Sequence, residues 1–249
     1  RFTADDNKTV LNGIVTLPQN YKKGKKYPLL VNGYGMPGTQ IVYNRWQGGF
    51  QQFLAQEGYI IFSMDSRGMS GRGRDFKNLS YGDMANYLAK DQATGVKYLI
   101  DQGYVDKENI GAWGWSGGGY FTCLMLTKNS DLFSVGVAVA PVTDFRLYDT
   151  AYTERYMGLP QENKSGYDST STITYVDSLK GKLLLMHGTN DDNVHAQNST
   201  KFVEACIRAG RPIDVMYYPS RNHGIYGNNA TKHVYKKLFE YFRLHLKIG

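Results

Sequence analysis

A serine becomes a nucleophile when its hydroxyl is lifted clear of its own backbone and a base stands within reach. Gly114-Trp115-Ser116-Gly117-Gly118-Gly119-Tyr120 has the residues for the first condition, meeting G-x-S-x-G through Gly114, Ser116 and Gly118. Asn109 to Trp113 before it reads as a buried strand, and Tyr120 to Leu126 after it as a buried helix. A side chain presented from so sharp a turn strains its backbone and crowds its neighbours, and glycines on both sides relieve the crowding. The turn also aims the first amide N–H groups of the helix at the place where a tetrahedral oxyanion would form. Taken alone, the pattern equally describes a glycine-rich turn with an idle serine, so the partner residues decide.

A serine of this kind needs a base, and an acid to hold that base in its tautomer; in α/β hydrolases they follow in the order Ser, Asp, His. After a buried strand at Leu183 to Met186 comes His187-Gly188-Thr189-Asn190-Asp191-Asp192-Asn193-Val194-His195, which offers an acid in a loop. After a last strand comes Pro219-Ser220-Arg221-Asn222-His223-Gly224, which offers a histidine. Among the five histidines, His233 and His245 fall in a closing helix and are expected to face solvent. His187 sits too near its strand end to double back easily, and His195 opens a helix. His223 alone has both the loop and the order. Spacing does not separate Asp191 from Asp192, either of which could instead cap the next helix.

The elements that must position these residues alternate. Strands are expected at Val10 to Leu17, Tyr27 to Val31, Tyr59 to Met64, Val135 to Ala140 and Ile213 to Tyr218, the first two as an antiparallel opening pair. Helices are expected at Trp46 to Gln56, Met84 to Ile100, Ala196 to Ala209 and Ala230 to Leu246. The alternation implies an α/β fold, a mostly parallel sheet with helices on both faces and catalytic loops at the carboxyl ends of strands. One competing motif lies in the loop Gly33-Tyr34-Gly35-Met36-Pro37-Gly38, which matches G-x-G-x-x-G after a strand, with Asp65 ending the next strand. An NAD-dependent oxidoreductase would use them for pyrophosphate and ribose. Pro37 and the stretch Thr39 to Asn44 stand where the phosphate-binding helix should begin.

Composition narrows the class. At 249 residues the chain fits one large domain, with 41% hydrophobic and 20% charged residues and an unusual 20 tyrosines. The net charge of +7 is scattered, its densest run Lys22-Lys23-Gly24-Lys25-Lys26 reading as a surface loop, which argues against nucleic acid as a partner. Cys123 and Cys206 are expected as buried free thiols. No apolar run approaches membrane-spanning length, and the opening Arg1 with no signal pattern suggests a piece of a longer chain. The motifs call for no metal and no cofactor.

In its longer motifs the chain resembles the prolyl oligopeptidase family of serine peptidases, dipeptidyl peptidase IV branch, whose members have the α/β-hydrolase fold. The resemblance is carried by Gly114-Trp115-Ser116, Val139-Ala140-Pro141-Val142, Tyr152 to Pro160, His187-Gly188-Thr189 with Asp191 to His195, and Asn222-His223-Gly224-Ile225. It implies Ser116, Asp191 and His223 as the triad, with the first aspartate as the acid. It implies Tyr34 as an oxyanion donor beside the Gly117 N–H. It further implies that Val142, Phe145, Tyr148, Tyr152 and Val194 box a proline ring, with Asn193 on the substrate carbonyl and Tyr156 close by. The implied activity is release of X-Pro dipeptides from peptide N-termini. From spacing alone, Tyr148, Tyr152 and Tyr156 recur every four residues and could share one helical face, with core packing as the plain alternative.

Two departures from the branch carry consequences. It usually has Tyr after the serine where this chain has Gly117, so one wall of the proline pocket is expected to be lost. Its members also carry an N-terminal β-propeller whose paired glutamates hold the substrate amine, expected here in the parent chain and absent from these residues. Relatives are often secreted or periplasmic homodimers, which sets the expected compartment and assembly. A free-standing esterase with the same triad, and a non-catalytic binding module, are the alternatives.

Overall fold

Leu29, Leu30 and Val31 have no exposure to solvent, and a strand that hides both faces must lie inside a sheet covered on both sides. In the computed structural model, which describes residues 1–248, the strands are β1 (Phe2–Thr3), β2 (Val10–Thr16), β3 (Tyr27–Asn32), β4 (Ile60–Asp65), β5 (Val105–Trp115), β6 (Val135–Val139), β7 (Lys182–Gly188) and β8 (Asp214–Tyr218). The helices are α1 (Gly49–Gln56), α2 (Arg74–Asn78), α3 (Asn86–Asp101), α4 (Gly117–Lys128), α5 (Thr150–Met157), α6 (Lys164–Thr170), α7 (Gln197–Arg208) and α8 (Ala230–His245). They build one sheet in the order β1-β2-β4-β3-β5-β6-β7-β8. Every neighbour pair from β4 to β8 is parallel, and β2 runs antiparallel to both β1 and β4. This is the α/β-hydrolase fold.

The period of two along each strand sorts its side chains between two cores. Leu29 and Val31 join Leu88, Val96 and Leu99 of α3 and Phe121 and Leu124 of α4 on one face. Leu30 joins Leu54 of α1 and Val234, Leu238 and Phe242 of α8 on the other. A third cluster seats Phe202 and Cys206 of α7 on Leu183 and Leu185 of β7. Each such fully buried Leu, Val or Phe contributes roughly 1.5–3 kcal/mol.

The expected antiparallel opening pair does not form. β2 pairs with β1 and β4, while β3 lies between β4 and β5, its register setting Asn32 opposite Trp113. The partly exposed pattern of β2 suits the sheet margin, and the wholly apolar Leu29 to Val31 suits the interior. From β3 the chain crosses to β4 on one side and returns to β5 on the other, so the loops after β3 and β5 meet at a topological switch point. That places Tyr34 beside Ser116. Two smaller corrections concern helices. The expected start at Trp46 moves to Gly49, because Trp46 stands 71% exposed ahead of Gly48, whose φ is 99°. Tyr148 precedes α5 in extended backbone, so it shares no helical face with Tyr152 and Tyr156.

Candidate active site

Ser116 sits between β5 and α4 with φ 62° and ψ −118°, a conformation that costs a non-glycine residue of order 1–3 kcal/mol. The surrounding contacts enforce it. A Cβ on Gly114 would lie 2.5 Å from the Gly118 carbonyl, and one on Gly118 would lie 2.6 Å from the Gly33 oxygen. The turn is held by Ser116 N–H donating to Val139 O at 2.8 Å, where β6 ends. Gly117 opens α4, so its N–H is among the donors that the helix itself leaves unpaired. Ser116 Oγ has no hydrogen-bond partner among the described residues. In such sites the bond to the base commonly tightens only when substrate binds.

Asp191, in the loop after β7, is 5% exposed. Its Oδ2 lies 2.7 Å from His223 Nδ1, and its Oδ1 accepts the N–H groups of Asn193 at 3.0 Å and Val194 at 2.9 Å. Asp192 is exposed, and the start of α7 has no side-chain cap, so neither aspartate caps that helix. His187, expected not to double back easily and so set aside as the base, does turn back, but onto Asp191. Fully buried, His187 places Nε2 3.1 Å from Asp191 Oδ2 and 2.8 Å from Val194 O, with Nδ1 2.5 Å from Ser199 Oγ. A carbonyl only accepts, so Nε2 carries the proton and can share it with the carboxylate. Burial pushes the Asp191 carboxyl up, but the His187, His223 and Asn193 donors outweigh it and hold the group well below the usual carboxylate range.

The His223 loop is fastened to the elbow by Trp115, whose Nε1–H donates to His223 O at 2.8 Å. Sequence reasoning passed over this bond because it joins a side chain to a backbone atom of a distant loop. His233 is exposed with Nδ1 3.0 Å from Tyr218 Oη, while His245 is half-buried against the Tyr241 ring. His195 is exposed at the approach to α7. The dinucleotide motif has no geometry to support it. No helix follows Gly38 until Gly49, and the buried Asp65 carboxylate accepts from Ile41 N–H at 2.8 Å and Val42 N–H at 3.3 Å, tying down the same loop.

Tyr34, Ser116, Gly117, Val142, Phe145, Tyr148 and Tyr152 converge with Met36 and Thr39 on a cavity of about 60 Å³. The lining rings stand at centroid distances of 6.4 Å from Phe145 to Tyr148 and 5.7 Å from Tyr148 to Tyr152, with Tyr156, outside the lining, 5.0 Å from Tyr152. Tyr152 O–H donates to Pro37 O at 2.8 Å and so ties α5 to the Tyr34 loop. Tyr148 O–H donates to Asn193 Oδ1 at 3.0 Å, which leaves the Asn193 amide N–H groups free to turn toward a ligand. Val194 is buried in the core and off the cavity wall, where its peptide groups serve Asp191 and His187. A larger cavity of about 350 Å³ shares Tyr34 and is lined further by Trp113, Trp115 and Gln51. The wall expected to be missing at Gly117 is occupied by Met36, whose Cγ lies 2.4 Å from where a Cβ on Gly117 would stand. No cluster of His, Cys, Asp and Glu among the described residues is arranged to hold a metal ion, and no described helix is long and apolar enough to cross a membrane.

A sequence profile of the prolyl oligopeptidase family matches residues 47–249. The chain belongs to the prolyl oligopeptidase family. Within the family it is similar to the dipeptidyl peptidase IV branch. A Podospora anserina protein called "Probable dipeptidyl-aminopeptidase B" is 42% identical over 233 residues, 92% of this chain and 25% of its own length. The protein of that name from Botryotinia fuckeliana is 42% identical over 226 residues, 89% of this chain and 24% of its own. Dipeptidyl peptidase 4 of Porphyromonas gingivalis superimposes with a TM-score of 0.92 at 37% identity, over 95% of this chain and 34% of that one. This prolyl oligopeptidase family chain thus spans about a quarter of the length of the curated relatives it matches.

Proposed function

We propose that the chain is the catalytic domain of a serine exopeptidase that releases X-Pro, or X-Ala, dipeptides from peptide N-termini through an acyl-enzyme on Ser116. The observation that carries the reading is the Asp191–His223 pair, fastened by Trp115 beside a strained serine that opens on an aromatic-lined cavity. Ser116 Oγ attacks the acyl carbon while its proton passes to His223 Nε2. The C–O bond forms, the C–N bond breaks, and His223 returns the proton to the departing amine. Water repeats the sequence to free the dipeptide. Asp191 holds Nδ1–H and offsets the imidazolium charge. Tyr34 O–H and the Gly117 N–H stabilise the oxyanion, each such donor worth roughly 3 kcal/mol in the transition state.

A small ring suits the aromatic-lined slot of Val142, Phe145, Tyr148 and Tyr152, and Asn193 takes the preceding carbonyl. None of the residues lining that cavity is acidic, so the substrate ammonium is assigned to carboxylates of a β-propeller elsewhere in the parent chain. The test is a fluorophosphonate probe together with H-Gly-Pro-anilide hydrolysis by the full-length protein. Labelling at Ser116, and loss of about 10⁶ in kcat in Ser116→Ala, is the expected result. Labelling at another serine sinks the acyl-enzyme. Turnover of simple esters with no cleavage of the anilide keeps the chemistry and replaces the peptidase by an esterase.

A further inference from the structure

Gly117 has no side chain to offer the cavity at its own position, and the space beside it is not empty. A Cβ built there would meet Met36 Cγ at 2.4 Å and Tyr34 Cε1 at 2.9 Å. Met36 is 4% exposed and lines the same cavity as Ser116 and Gly117. Its backbone is held from both sides. Thr39 N–H and Oγ1–H donate to Met36 O at 3.3 and 2.5 Å, and Tyr152 O–H donates to the next carbonyl, that of Pro37. Gly35, at φ 82°, supplies the turn that sends the chain into this position. The result is a fixed backbone carrying one unbranched, polarisable thioether against the first residue of α4.

We infer that Met36 is the selectivity-setting wall of the acyl pocket, standing where a side chain at position 117 would otherwise stand, so that residues 36 and 117 are alternative sources of one surface. The inference rests on the proposed acyl-enzyme reading and adds the residue that grades its substrates. A five-membered ring is wide enough to press on Met36, whereas an alanine methyl on the same carbon stops short of it. Contact with Met36 therefore favours proline over alanine. Met has three rotatable bonds and yields in shape, so the preference it imposes is shallower than that of a rigid ring.

The experiment compares kcat/KM for H-Gly-Pro-, H-Gly-Ala- and H-Gly-(piperidine-2-carbonyl)-nitroanilide in the full-length protein and its variants. Met36→Ala is expected to lower the proline-to-alanine ratio roughly tenfold and to raise the six-membered ring relative to proline. Gly117→Tyr alone is expected to lose turnover on all three, because its Cβ overlaps Met36. Met36→Gly/Gly117→Tyr is expected to recover turnover with a proline-to-alanine ratio above that of the wild type. Ratios are read from protein that a fluorophosphonate labels at Ser116, so a wild type that fails to label brings down the acyl-enzyme reading itself. If Met36→Ala no longer labels, Met36→Leu, which keeps the volume and stiffens the chain, carries the readout and should shift the ratios in either direction. Unchanged ratios in Met36→Ala or Met36→Leu overturn the inference. So does a Gly117→Tyr protein that behaves the same with and without Met36→Gly.

Discussion

Asp91, on α3, and Asp191, after β7, are each almost wholly out of water, yet one faces a guanidinium and the other faces two imidazoles and two amides. Asp91 takes Arg67 Nε at 3.0 Å and Nη2 at 2.5 Å, together with the Arg67 backbone N–H at 2.7 Å. Burial works against the charge on Arg67, but Asp91 and Asp5 outweigh it and hold the guanidinium above its ordinary value. Arg67 divides its guanidinium among Asp91, Asp5 and Asp6, and α3 is thereby clamped to the loop after β4 and to the N-terminal segment. Asp191 has donors that are uncharged while the histidines are neutral. Its negative charge is kept and left facing His223, where in the proposed mechanism it would offset the imidazolium that forms during reaction. A buried carboxylate paired with a permanent cation fixes structure, and one paired with amides and imidazoles keeps a charge available.

The sharpest break of this comparison is Asp191→Asn, which should lower kcat by roughly 10⁴ by holding His223 in the wrong tautomer while the protein stays folded. Stopped assays beside circular dichroism separate the two outcomes, and near-wild-type turnover removes Asp191 from the mechanism. Asp91→Asn should do the reverse, costing about 3 to 5 kcal/mol of stability because Arg67 stays buried with its main partner gone. Urea unfolding reads the cost, and turnover per folded molecule should stay within a few fold. A third result sharpens the contrast through pH. The folded Asp191 carboxyl lies below its unfolded value of about 3.9, so its stabilisation is fully present above that pH and is lost as pH falls through the folded value. The margin in melting temperature between wild type and Asp191→Asn should therefore shrink in strong acid, below about pH 4. A margin that grows within that acid range contradicts the assigned direction. The smallest effect marks burial without donors. Cys206 is pushed up to about 11 and Cys123 further, both by burial first, so iodoacetamide should leave both thiols of the native protein unmodified at pH 8, and rapid alkylation would show that α7 opens.

What the sequence made legible follows the range of the constraint. The strained turn at Ser116 was readable because the need for Gly114 and Gly118 is met within one turn, and His223, which the structure pairs with Asp191, was singled out by order along the chain. Asp191 and Asp192 are chemically identical neighbours, so the residues alone left them open; the loop geometry turns the first inward and leaves the second in water. The bond of His187 to Asp191 was hidden because it depends on how that loop folds back toward its own strand. Met36 was hidden for a similar reason, since its neighbour at position 117 is brought to it by the pairing of β3 with β5. Sheet order was the weakest point. Adjacent strands in sequence suggested a hairpin, while the burial of both faces of β3 required a crossover.

The same sheet order fixes when the site can come into existence during folding. Tyr34 follows β3, Ser116 follows β5, Asp191 follows β7 and His223 follows β8, so the parts are drawn from across the chain and meet only through parallel, non-local pairings. Closing such long loops costs chain entropy before any contact repays it, and folds of this kind form slowly. In the proposed reading no stretch that stops short of His223 holds the full set, even though Tyr34 and Ser116 are already present when β7 forms. Hydrolytic activity should accordingly be among the last properties to return on refolding, behind helix content and collapse. The candidate site is in this sense incomplete until the chain has been made as far as β8 and the loop that follows it.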